Sequence, residues 1–433
     1  MRMTTITDPK IRPDVAAALV NPEAYAGQRI HETYRWLRAH NPLGIAEVPG
    51  FDPFWAVTTY ADVQFISRSN NLFRNGDRSA LIVNQASDRL TRQVKDGSPH
   101  ILRSLVQLDG NEHLRAREIT QGWFTPSNLQ RLERKIRDLA REAVAKMMSG
   151  SGTCDFVKEI ALSYPLRVIM EVLGVPEHNE SLMLKITQEI FGPQDPDMAP
   201  AVDPTRASER LSLALQASAE IVAGLFFPLA AERRKDPRDD LISLIANAKI
   251  DGKPLGSNEE LAYYTIIATA GHDTTSSSIA GAIWALCENQ EEFAKVRRNP
   301  GLIPNLIEEA IRWISPVKNF MRTATADTEI SGRKIAKGDW LMLCYASANR
   351  DESVFPDPYS FRVDRPGLSK HLAFGGGGAH LCLGQYLARL EMRVLFEELL
   401  PKLASLELDG LPRMSEAIFV NGPKSLPIRF KPV

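Results

Sequence analysis

The chain has 433 residues, 44% hydrophobic and 24% charged, and its 52 Lys and Arg against 53 Asp and Glu leave a formal net charge of −1. That balance gives no electrostatic footprint for a nucleic-acid partner, and the hydrophobic share suits a chain that buries a core. Cys154, Cys287, Cys344 and Cys382 are too widely spaced for a disulfide framework and suit a reducing compartment.

The opening MRMTTITDPKIRPDV has no apolar centre for a signal peptide. The apolar stretch 279–287 falls far short of the roughly 20 residues of a membrane span. The expectation is a soluble cytoplasmic protein. Length alone suggests about two or three domains. No linker or internal repeat divides the chain, so residues 1–433 are expected to form a single domain.

In chain order, the spacing of Ile30, Tyr34 and Leu37 predicts a helix over 28–39. Residues 44–48 and 54–59, divided by Pro49-Gly50, predict a β-hairpin, and 61–68 a helix. Residues 70–106 are polar with little period, a candidate lid. Asp109-Gly110-Asn111 leads into a helix on which His113 and Arg117 share a face. Thr125-Pro126-Ser127 starts a helix that runs to about 148. Further helices are predicted over 162–173, stopped by Gly174, and over 182–191, 207–234 and 239–248. The proline-rich 192–204 is a second candidate lid. The longest helical pattern, 259–289, is followed by a helix over 307–313, broken at Ser315-Pro316. Strands are predicted at 320–323, 328–330 and 340–344, and an irregular meander over 349–365. A hairpin turning at Asn421-Gly422 is predicted within 417–430.

Three stretches carry chemistry. Within the longest helix, Ala270-Gly271-His272-Asp273-Thr274-Thr275 and three serines place glycine and hydroxyls where they weaken a helix, predicting an opened hydrogen-bond ladder. Glu309 and Arg312 share a helix face, and by spacing alone would be an exposed pair of little energetic weight. Four glycines, Gly375–Gly378, precede Cys382, with Gly384 opening a helix behind it. Glycines let something bulky lie against the backbone, and a cysteine at a helix start is poised as a thiolate. Together they describe a haem with an axial cysteine, although a glycine-rich turn with an inert thiol has the same composition.

Phe374, Gly375, Gly377, His380, Cys382 and Gly384 closely resemble the haem-ligand signature of the cytochrome P-450 monooxygenases. The loop from Phe374 to Cys382 is one residue longer than the commonest form. The resemblance implies a mainly α fold with a small β-rich portion. It also implies a haem b between the long central helix and the loop of its ligand, Cys382. It implies an oxygen-activation motif in which Asp273 and Thr274 serve as acid and alcohol, with Ala270 and Gly271 leaving room for O2. His113 and Arg117, which by themselves read as solvated charges, become propionate contacts with Arg322 and His371. Glu309 and Arg312 become a buried pair joined by Arg365, with a structural role.

Several stretches also look like the bacterial branch that includes α-terpineol hydroxylase. That implies hydroxylation of a small apolar substrate, a monoterpenoid such as terpineol or an alkylbenzene such as p-cymene. Candidate pocket residues are Ala270, Val317, Phe320, Phe419 and Val420. No flavin or nicotinamide fingerprint is present, so a monomer fed by a 2Fe-2S ferredoxin and its reductase is implied, docking behind Cys382 through residues such as Arg389. A peroxide-driven peroxygenase and a non-catalytic haem sensor are the other classes to separate.

Overall fold

Pro49-Gly50 reverses the chain, with Gly50 at φ +82°, and lays Leu43–Ala46 antiparallel against Phe54–Val57. In the computed structural model, which describes residues 9–191, 195–197 and 207–433, this hairpin becomes the edge of a five-stranded sheet. Trp340–Cys344 pairs parallel with Phe54–Val57 and antiparallel with Asn319–Ala324, and Phe73–Arg74 closes the far edge. Alternation sends Phe54, Ala56, Trp340 and Met342 to one hydrophobic cluster and Trp55, Val57, Leu341 and Leu343 to another, so the sheet is covered on both faces.

The rest of the described chain is chiefly helical. One continuous core cluster takes in Ile279 and Ile283, Leu306 and Ile307 of the helix Ile303–Ile314, and Leu395 and Phe396 of the helix Gln385–Leu399. Ser163–Leu173 stops where the sequence predicts, because Gly174 takes the left-handed φ of +85° and its N–H returns to Met170 O at 2.9 Å.

Three expectations change. The stretch 70–106 contains Phe73–Arg74 and a helix, Gln85–Val94, capped by Asn84, so it is partly regular. The hairpin near the C-terminus does not turn at Asn421-Gly422. Arg413–Met414 pairs with Pro423–Ser425, and the loop between them is drawn inward by backbone bonds to 316–318; Pro427–Pro432 instead joins Leu403–Leu408 and Thr153–Asp155. The pattern 259–289 folds as two helices, Ser257–Ala270 and Asp273–Glu288. The second candidate lid, 192–204, lies largely outside the described residues.

Candidate active site

The break between those two helices is where the hydroxyl cluster sits. Thr274 Oγ1 donates to Ala270 O at 2.8 Å, Thr269 Oγ1 to Thr265 O at 2.7 Å and Ser278 Oγ to Thr274 O at 2.8 Å, so side chains compete with the ladder as the sequence suggests. Gly271 has a second reason to be glycine: an added Cβ would lie 2.8 Å from Ile169 Cδ1. Ala270 is exposed on this side, and Asp273 Oδ2 is buried without a partner. Burial pushes the Asp273 carboxyl upward while His272, 3.7 Å away, pulls against it.

The cysteine loop is shaped by its glycines in an unforeseen way. Gly375, Gly377 and Gly378 have φ of +98°, +96° and +78°. What lies against Gly376–Gly378 is protein rather than a flat ligand. A Cβ would come within 2.7 Å of Ser67 at Gly376, 2.9 Å of Arg68 at Gly377 and 2.5 Å of Ser67 O at Gly378. The longer loop is thus seated on the end of the helix Tyr60–Arg68, and Asn70 Oδ1 accepts Ala379 N–H at 2.9 Å. Gly384, by contrast, has open space where a Cβ would stand. Cys382 N–H bonds Phe374 O at 2.9 Å. Burial pushes the Cys382 thiol up, and the N–H groups of Gly384 and Gln385 with the charges of Arg117 and Arg389 pull it back.

Beside this loop stands a group of donors with too few acceptors. The rings of His113 and His380 are 4.3 Å apart, and His380 Nε2 lies 3.8 Å from Asp109. Arg117 Nη2 reaches Leu381 O at 2.8 Å and Arg322 Nη1 reaches Met321 O at 2.8 Å. His113 Nδ1 and Arg322 Nε are buried with nothing to bond. Burial and these like charges draw His113 down to about 4. Haem b brings two propionate carboxylates and a flat apolar ring. The orphaned nitrogens, the open space at Gly384, the exposed Ala270 and the thiol of Cys382 fit such a group. His371 is placed differently from the other donors. It is buried, its Nε2 pairs with Glu308 at 3.1 Å, and its Nδ1 accepts Ala373 N–H at 3.3 Å.

Val317 bridges to Val420, and the rings of Phe320 and Phe419 meet edge to face at 5.0 Å, so four of the candidate pocket residues are brought together. Away from them, Glu309 and Arg312 are fully buried and joined by two bonds of 2.7 and 2.8 Å, while Arg365 Nε lies 3.1 Å from the same carboxylate. The two guanidiniums also hold the carbonyls of Asn349, Pro358, Asp357 and Ser360, so the meander is tied to the helix Ile303–Ile314.

Sequence reasoning passed over three groups. Glu308, next to Glu309, pairs with His371 and with Arg389 at 2.6 Å; Arg389 also stacks over Phe374 at 4.3 Å, so its charge is already engaged. His272 bonds Thr187 at 2.9 Å and Leu162 O at 2.8 Å. Glu391 is buried on the helix behind Cys382, pushed well above the carboxylate range by burial, with Thr275 pulling against the shift. An acid at an apolar helical position was the one available signal for Glu391.

The chain belongs to the cytochrome P-450 family, whose profile matches residues 301–428 under the description Cytochrome P450. It is a monooxygenase with haem b as cofactor, held by a cysteine thiolate, and O2 as co-substrate. It is 44% identical over 96% of its length, and 97% of the relative's, to cytochrome P-450-terp of a Pseudomonas species. It is 33% identical over 97% of both chains to a steroid C26-monooxygenase of Mycolicibacterium smegmatis. A crystal structure from Novosphingobium aromaticivorans superposes with a TM-score of 0.89 at 42% identity, covering 98% of this chain and all of that one. A Mycobacterium marinum cytochrome P-450 in complex with pseudoionone gives 0.85 at 30%, covering 98% and 100%. Among the described residues no helix is long and apolar enough to cross a membrane.

Proposed function

We propose that this chain hydroxylates an unactivated C–H bond of a small apolar substrate, a monoterpenoid such as terpineol or an alkylbenzene such as p-cymene. The observation that carries the reading is the uncharged wall of Val317, Phe320, Phe419 and Val420, in a chain with 44% identity to cytochrome P-450-terp. Such a wall excludes water and orients an apolar molecule by shape. Ala270 contributes the opposite side. Residues 1–433 act as one monomeric, cytoplasmic unit, with electrons supplied by a 2Fe-2S ferredoxin and its reductase.

In this reading Cys382 would hold the iron, flanked by Phe374, Gly375 and Gly384, while His113, Arg117, Arg322 and His380 would face the propionates and His371, engaged by Glu308, would flank the loop. The bound haem supplies the two-electron activation of O2. The chain's part is to keep the site dry and to deliver protons. Thr274 presents a hydroxyl at the helix break, parked on Ala270 O at 2.8 Å. Asp273 has one carboxylate oxygen without a partner, and burial raises its pKa, both of which suit a group that exchanges protons. Asp273 therefore relays protons inward, and Thr274 passes them on.

Titration of the purified ferric holoprotein with terpineol and with p-cymene tests the substrate class. A low- to high-spin shift with one of them is expected, and no shift with either overturns the class. NADH-driven product that requires ferredoxin is also expected. Product from peroxide alone would point to a peroxygenase, and binding without turnover to a sensor.

A further inference from the structure

Behind the pocket wall lies a void lined by Tyr25, His31, Trp284, Lys318, Arg350 and Asn421, with Gln28, Met414 and three further apolar residues. No aspartate or glutamate lines it. Lys318 and Arg350, only 2% and 4% exposed, put a buried amine and a buried guanidinium on its walls. Lys318 Nζ bonds Ile314 O at 2.6 Å, and Arg350 Nη2 bonds Trp313 O at 2.6 Å. Arg350 Nε, Arg350 Nη1 and Trp284 Nε1 are buried with no acceptor, as is His31 Nδ1. Asn421 Oδ1 is the unpaired acceptor among the lining groups.

Nearby groups compensate the Arg350 charge only in part, through Glu309 at a distance and the rings of Trp313 and Tyr359. Glu309 is shared by Arg312 and Arg365, and Glu352 is engaged by Arg38. A guanidinium does not shed its proton in a protein, and a buried charge without a counterion is costly. Burial and the charge of Arg350 hold the Lys318 ammonium well below its ordinary range. The free space suits about one water-sized body, too small for a tetrahedral oxyanion. A water there would bond Asn421 Oδ1 but bring no negative charge to Arg350.

We propose that this void is a binding site for one halide ion, chloride in ordinary buffers, held by Arg350, Lys318 and Trp284. Val317 points to the pocket wall and its neighbour Lys318 to the void, as alternation along an extended segment requires. Lys318 N–H also bonds Phe419 O at 2.9 Å and Asn421 N–H bonds Pro316 O at 3.0 Å. The ion therefore braces the pocket wall from behind.

The test uses crystals of the holoprotein grown or soaked in sodium bromide, with anomalous density expected between Arg350 and Trp284. In solution, the thermal midpoint should rise by a few degrees when sodium gluconate, too large to enter, is replaced by bromide or chloride at equal ionic strength and pH. Lys318→Met should weaken that dependence while the protein still binds haem. If the variant does not fold, the bromide map and the wild-type comparison decide. Absence of bromide density, or equal midpoints in halide and gluconate, overturns the proposal in favour of a water-filled void. Bromide density with unchanged midpoints, or with full halide dependence retained in Lys318→Met, means an adventitious ion only.

Discussion

The Thr274 hydroxyl makes one hydrogen bond, and that bond bears on both the local helix break and the proposed chemistry. Its hydroxyl satisfies Ala270 O at a point where the helix of residues 257–270 has ended. Alanine there would leave the fold nearly intact, because a single hydrogen bond to Ala270 O is lost at an exposed residue. It would remove the hydroxyl to which the proposed proton path is assigned. Thr274→Ala is therefore expected to bind substrate with little change, to consume NADH, and to form product per NADH lower by about tenfold or more, the rest appearing as hydrogen peroxide. Unchanged product per NADH would take the proton path away from Thr274. The type and position of this residue were legible in the sequence. Its partner was too, since an alcohol four residues after a carbonyl on a helix reaches it. The anchoring of its neighbour His272 was not, because Thr187 and Leu162 lie 85 and 110 residues away and only packing brings them near.

At the scale of elements, helices followed from period and capping, and strands 328–330 and 340–344 were placed to the residue. The C-terminal hairpin was misplaced because Asn421-Gly422 carries the local signal of a tight turn, whereas backbone pairing with 316–318 decides where the chain runs. The glycine loop shows the same limit. Its composition suggests room for a ligand, yet three of its glycines are needed to seat the loop on Ser67, Arg68 and Asn70. Two alanine substitutions separate the meanings. Gly378→Ala forces a side chain into a φ of +78° and within 2.5 Å of Ser67 O, which should shift the loop and lower both stability and haem content. Gly384→Ala starts from a φ of −81° with no protein atom in the way, so it should leave stability unchanged and act only through the space assigned to the haem. Equal stability of the two variants, measured by denaturant unfolding, would show that seating the loop does not matter.

Across the whole molecule, two adjacent residues of the helix Ile303–Ile314 divide the work of holding the site together. Glu309 turns toward the meander through Arg312 and Arg365, and Glu308 toward the two flanks of the cysteine loop through His371 and Arg389. Burial opposes the charge on Glu308, but the bonds from His371 and Arg389 outweigh it and carry the carboxyl from 4.5 down to about 2. A folded pKa below the unfolded one means that the unfolded chain takes up the proton first as pH falls. The stabilisation is therefore complete above about pH 4.5 and is lost progressively toward 2. A depression of that size corresponds to about 3 kcal/mol, an upper figure since Gln keeps part of the hydrogen bonding. Glu308→Gln should accordingly be less stable than the parent by about 1–3 kcal/mol at pH 7, and the gap should narrow once the pH drops below about 4.5. Denaturant unfolding of both holoproteins between pH 7 and the acid limit of folding measures it. A gap that stays constant or widens on acidification would mean that Glu308 stabilises by packing, and the ion pairs flanking Cys382 would lose their part in fixing the loop.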